Sequence, residues 1–208
     1  MADVTLTYKG STIAEMSDTG TKTLKTSGKY CEGDIGVSYV KPASGGSGFW
    51  DENTVKSFFE NTLTNINIPS GTTEIKDYSF RFSPLTTISL PNSLQKIGRE
   101  AFYGCNYLQL SYLPEGLTEI SKYAFSNCFS FETIKFGANL NTIGEQAFYN
   151  CTGLTTVRFK GTPSTIQYNT FVSCPKLTDI YVPWAEGAVA NAPWGASHAT
   201  IHYNTTTT

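Results

Sequence analysis

Between Leu63 and Val182 the apolar positions recur as one pattern, written again every 22 or 23 residues. Phe80, Phe102, Phe125, Phe148 and Phe171 stand at intervals of 22, 23, 23 and 23, and Ile75, Ile97, Ile120, Ile143 and Ile166 keep the same intervals. Cys105, Cys128, Cys151 and Cys174 follow the last four Phe by three residues each. Leu85, Leu108, Phe131, Leu154 and Leu177 complete the apolar set. Self-similarity at a period of about 20–50 residues marks a chain built by stacking one supersecondary unit on the next. Each unit cannot bury its apolar face alone and does so against its neighbours.

Each unit parses into elements. Leu85–Pro91, Phe131–Phe136 and Leu154–Phe159 alternate apolar and polar residues, as a strand with one face in the core requires. Pro69, Pro91, Pro114 and Pro183 follow the strand's last apolar residue and end it, because proline has no N–H to donate to a ladder. A turn at Ile97-Gly98 or Ile143-Gly144 leads to an expected short helical turn such as Glu145–Cys151, with Ala101, Ala124 and Ala147 small where backbones crowd. The predicted fold class is an α+β solenoid, a leucine-rich repeat of about five 22–23-residue coils. The third unit departs from the pattern: Ser111 occupies the inward place held by Ile88, Ile134 and Val157, which predicts a local adjustment by Leu110 or Tyr112.

The flanks read differently. Residues 1–41 carry short strand patterns at Val4–Tyr8, Thr21–Thr26 and Asp34–Val40, separated by glycine-bearing turns, and form a small β-rich module for attachment or oligomerisation. Pro42–Gly48 is a Gly/Ser linker. Residues 49–208 make the repeat domain. Within it 49–62 is an expected N-terminal capping helix, with Asp51 as N-cap and Val55, Phe58 and Phe59 on one face. Residues 63–182 hold the repeats, and 183–208 form a C-terminal cap built on Trp184 and Trp194, with Thr205–Thr208 expected to fray.

Composition removes several function classes. The formal net charge is -2, so no strong field draws nucleic acid or anionic lipid. No run approaches the roughly 18 apolar residues of a membrane span, and the first residues lack the basic start and apolar core of a signal peptide, so neither membrane insertion nor classical export is expected. The cysteines make no CxxC pair, and a metal site is not expected from them. Four of the five belong to the repeat, where each thiol fills the same small niche one coil apart, while Cys31 lies outside the ladder. Phe102, Phe125, Phe148 and Phe171 share that structural role. His198 and His202 are four apart, which matters for metal binding only on a helix, and Ala199–Tyr203 reads as extended. No nucleophile elbow or phosphate loop occurs, so an enzyme is not expected and no cofactor is implied.

What remains is the outward face of the stacked strands. Its central column runs Asn67, Ser89, Tyr112, Lys135, Arg158 and Tyr181, and the column before it runs Asn65, Thr87, Leu110, Thr133, Thr156 and Asp179. Threonine and asparagine suit a solvated sheet. Tyr112 and Tyr181 flanking Lys135 and Arg158 supply instead flat rings and directed donors, the equipment of a glycan-binding or protein-binding patch.

Units such as Leu90–Cys105 and Ile143-Gly-Glu-Gln-Ala-Phe-Tyr-Asn-Cys151 resemble the BspA-like, or Treponema-type, leucine-rich repeat family over about residues 63–182, and Ile180-Tyr-Val-Pro183 resembles the ends of that family. The resemblance implies a curved solenoid used for binding, often on surfaces or in adhesion. Residues 4–41, with Thr21–Cys31 followed by Asp34-Ile-Gly-Val37, resemble the short β modules heading tail and baseplate-associated proteins of phages of Gram-positive hosts. That second resemblance implies a virion protein made in the host cytoplasm, its residues 1–41 joining other tail or baseplate proteins or a homo-oligomer, its repeats meeting a host-surface glycan or protein. The alternative it leaves open is a bacterial cell-surface or secreted adhesin.

Overall fold

In a computed structural model the described residues are 2–8, 11–17, 22–24, 35–39 and 65–205 apart from 69 and 84, the four N-terminal segments and 65–67 as backbone alone. The expected capping helix at 49–62 and the linker at 42–48 lie outside the described residues.

The N-terminal strands are β1 (Ala2–Tyr8), β2 (Ser11–Ser17), β3 (Lys22–Leu24) and β4 (Ile35–Tyr39). They pair antiparallel in the order β3-β2-β1-β4. Strand β2 was not expected. Its Ile13 and Ala14 are consecutive rather than alternating, so a period-two reading passes over it.

From Asn65 onward the chain winds through parallel coils with two ladders. One comprises β6 (Glu74–Ile75), β8 (Lys96–Ile97), β9 (Glu119–Ile120), β11 (Thr142–Ile143) and β13 (Thr165–Ile166), a five-stranded sheet of two-residue strands. Its isoleucines are the predicted Ile column, each buried. The other comprises β5 (Asn65–Asn67) with β7 (Thr87–Ser89), and β10 (Thr133–Phe136), β12 (Thr156–Phe159), β14 (Asp179–Tyr181) and β15 (Thr200–His202).

The third side of each coil corrects the α+β expectation. No helix occurs among the described residues, and Glu145–Asn150 is a run of turns. The hydrogen bonds explain why. Alternate N–H groups donate to the next coil, as Tyr123, Phe125 and Asn127 do to the carbonyls of Glu145, Ala147 and Tyr149. The N–H groups between them close local turns, Ala124 to Ser121 and Ser126 to Tyr123. A helix would need every one of these donors for itself. Left-handed residues, among them Tyr123, Asn127, Gln146 and Asn150, reset the chain twice per coil where a helix would have continued.

Inside, the Phe column is a stack. Phe80, Phe102, Phe125, Phe148 and Phe171 follow one another with ring centroids 5.2, 5.1, 5.2 and 5.6 Å apart. The cysteines lock onto it. The thiols of Cys105, Cys128, Cys151 and Cys174 donate to the carbonyls of Phe80, Phe102, Phe125 and Phe148 at 3.0, 3.2, 3.2 and 3.1 Å. Burial pushes the Cys105 thiol up to about 12 and raises Cys128 and Cys151 well above the ordinary range, so these thiols are packing groups. Gly144 is small because a Cβ there would stand 2.6 Å from the Lys122 nitrogen of the preceding coil.

At the C-terminal end Trp194 is fully buried, and Trp184 meets Phe159 edge-on at 5.2 Å. This end also continues the ladder, since β15 pairs in parallel with β14. Thr205, expected to fray, is tied down: its N–H and its hydroxyl both donate to the Val182 carbonyl. Residues 206–208 lie outside the described residues.

The departure at Ser111 splits the strand face. Ser111 is exposed, not inward, and Leu110 packs half-buried against the core in its place. A hydroxymethyl group offers too little apolar area to draw the backbone into the strand line. Tyr112 keeps only an isolated bridge to Lys135, and the face divides into β5-β7 and β10-β12-β14-β15.

Candidate functional site

The side chains of a strand alternate between faces, and parallel in-register pairing turns one outward position per coil into a row. Tyr112 pairs with Lys135, Lys135 with Arg158, and Arg158 with Tyr181. All four predicted residues therefore stand in one line across neighbouring coils. The row continues one step further, because Tyr181 pairs with His202 on β15.

Each end of the row is fixed. At one end Tyr112 is 39% exposed, and the Lys160 ammonium lies 5.9 Å from its ring centroid. Lys160 donates to the Glu115 carboxylate at 2.5 Å, and the Ala138 N–H donates to the other carboxylate oxygen at 2.8 Å. The Lys160 bond, ahead of that N–H, holds the Glu115 carboxyl below its usual range. At the other end the Arg158 guanidinium carbon sits 3.8 Å from the Tyr181 ring centroid, and Tyr181 stacks on His202 at 4.4 Å and 12°. His202 Nε2 meets Asp179 Oδ1 at 2.8 Å, and the Thr178 hydroxyl donates to Asp179 Oδ2 at 2.8 Å. The bond to His202, then that from Thr178, draws the Asp179 carboxyl down.

In the middle stands Lys135, exposed and without an ion-pair partner among the described residues. The arrangement offers a flat bed with two aromatic ends and a cationic centre. Chemically it can stack on ring faces and donate hydrogen bonds to anionic or hydroxylated groups.

Sequence reasoning placed Asp179 on this face but missed Lys160, Glu115 and His202 as parts of the bed. His202 was hidden because the last step of the ladder shortens: Asp179 pairs with Thr200, 21 residues on, where the earlier strands step by 23. Lys160 and Glu115 are 45 residues apart, so they meet only across two coils. The structural column falls where it was expected, with Phe102, Phe125, Phe148 and Phe171 fully buried.

Similarity to known proteins fits this architecture. A search among curated proteins returns no match. Among solved structures, the T. pallidum leucine-rich repeat protein shares 25% identity over 70% of this chain and 71% of its own, with a TM-score of 0.52. A leucine-rich cell surface protein from Faecalibacterium prausnitzii A2-165 shares the fold at 20% identity and a TM-score of 0.55, covering 89% of this chain and 39% of that one. Residues 54–178 match the family described as BspA type leucine-rich repeat region, in six copies. That is one more than the five coils counted from the Phe column, and the match begins inside the segment expected to cap them. The chain belongs to the BspA-type leucine-rich repeat family.

Proposed function

We propose that the solenoid is a non-enzymatic binding scaffold whose strand face takes a host-surface glycan or protein, and that the chain serves in a phage tail or baseplate, with residues 1–41 as its attachment or oligomerisation module. The observation that carries the binding reading is the single row Tyr112, Lys135, Arg158 and Tyr181, assembled by strand register from positions 23 residues apart. Repeat proteins present such extended surfaces to partners. Support for the virion reading is the order of β module, linker and repeats in the sequence.

The competing reading is a bacterial surface adhesin of the BspA kind. The F. prausnitzii relative is named a cell surface protein, although at 20% identity that likeness speaks for the fold alone. Mass spectrometry of purified virions and of cell-surface fractions separates the two: the virion reading expects the protein in the particles, and finding it only at the surface sinks that reading. A binding screen of the full chain against host cell-wall glycans and surface proteins tests the face. Wild type and a Tyr112→Ala/Lys135→Ala variant binding alike would remove the patch.

A further inference from the structure

The row places two like charges side by side. Lys135 and Arg158 are register partners on β10 and β12, and adjacent strands lie about 4.7–4.9 Å apart. Like charges directly opposite one another weaken a sheet. Other parts of the solenoid show how the fold otherwise handles charge. In the five-stranded sheet Lys96 stands between Glu74 and Glu119, its ammonium 3.8 and 3.7 Å from their carboxylates. On the turns Glu100 takes both Arg81 and Arg99, at 3.2 and 3.3 Å, and Glu145 takes Lys122 at 2.5 Å.

On the strand face the nearby acids are committed elsewhere. Glu115 holds Lys160 and the Ala138 N–H, while Asp179 holds His202 and Thr178. Arg158 leans onto Tyr181 and reaches the Asp179 carboxylate only through space, and Lys135 projects beside it without an ion-pair partner among the described residues. The centre of this outward row is left positive.

We propose that an anionic polysaccharide lies along this row, with a carboxylate or phosphate set between the Lys135 ammonium and the Arg158 guanidinium and a sugar ring against the exposed face of Tyr112. The proposal rests on the strand face being the binding face and adds the charge of the ligand. A guanidinium binds a carboxylate or phosphate through paired N–H groups, and an ammonium adds a point charge. The neighbouring register positions are Thr133, Thr156, Asp179 and Thr200, a line dominated by small hydroxyls. Such a line suits a hydroxylated chain better than a peptide, whose apolar side chains need sockets.

The test uses the full chain on immobilised polygalacturonate, polyglycerol phosphate and dextran, which supply carboxylate, phosphate and no charge. Binding is expected to one or both anionic polymers and not to dextran, weakening as salt is raised, and the polymer that binds identifies the anion. Lys135→Gln and Arg158→Gln should each weaken it about tenfold or more, as loss of a charge-assisted contact does. Lys135→Gln should melt at or above the wild-type temperature, so its loss of binding is not unfolding. Dextran binding as strong as polyanion binding, sensitive to Tyr112→Ala but indifferent to Lys135→Gln, would overturn the anionic ligand and spare the face. Binding to none of the three polymers would overturn the polysaccharide and leave the face to the protein screen, whereas binding that all three substitutions leave unchanged would overturn both.

Discussion

Two charged rows cross the solenoid, one on its earlier coils and one on its later coils, each built by parallel register, and they are composed by opposite rules. The row Glu74, Lys96, Glu119 alternates in sign, so each carboxylate meets the one lysine from either side. The row Tyr112, Lys135, Arg158, Tyr181 repeats a sign and brackets it with rings. Parallel in-register stacking is common to both, so the difference lies in the side chains each row carries. An alternating row lowers the energy of the folded chain by itself. A like-charged row raises it at the paired positions and leaves room for an anion from outside the chain. The contrast also separates both surfaces from the core beneath, where the Phe column runs through five coils and the Cys column through four.

Breaking the core should dwarf any effect on either row. Phe148→Ala removes a ring stacked between Phe125 and Phe171 and touched edge-on by Phe136, and should cost about 3–5 kcal/mol in denaturant unfolding. A cost no greater than that of a surface substitution would mean that the Phe column is not the spine of the coils. Cys128→Ala loses one thiol bond to the Phe102 carbonyl and a little volume, and about 1–2 kcal/mol is expected by the same measurement. A neutral result would show that the thiol serves only as filler.

Acid should then reveal the end of the strand row. Glu115 and Asp179 both titrate below their ordinary values of 4.5 and 3.8, Glu115 first through Lys160 and Asp179 first through His202. A carboxyl whose folded pKa is depressed contributes stability above its unfolded pKa and loses that contribution as pH falls through the folded one. The melting difference between wild type and Glu115→Gln should therefore be present at neutral pH and close as the pH drops below about 4.5. A difference that stays constant into acid would mean that the Glu115–Lys160 pair is not what separates the two proteins. Both carboxyls are exposed to solvent, so the effect is small and shrinks further in salt.

The sequence makes the core columns visible because burial repeats at every coil, and a residue that fails to fill its niche breaks the period. The strand row is visible for the same reason: alternation fixes which residues point outward, and a constant 23-residue step brings Lys135, Arg158 and Tyr181 together. Other features are set by competition that no single position shows. Glu145–Cys151 has helix-forming residues, yet the next coil takes alternate N–H groups of the turn, and Gln146 and Asn150 turn left-handed. His202 enters the row through a shortened step, and Ser111 leaves the inward column because that place needs volume that serine lacks.

The most direct measurement compares Lys96→Gln with Lys135→Gln by thermal melting of the unliganded full chain in low and in high salt. Lys96→Gln should lower stability by about 0.2–1 kcal/mol in low salt, as loss of an exposed pair does. Lys135→Gln should leave it unchanged or raise it by a few tenths of a kcal/mol, as relief of an opposed like charge does. High salt should bring both variants toward wild type. Equal losses from the two substitutions, persisting in salt, would contradict the account, because Lys135 would then be part of what holds the solenoid together.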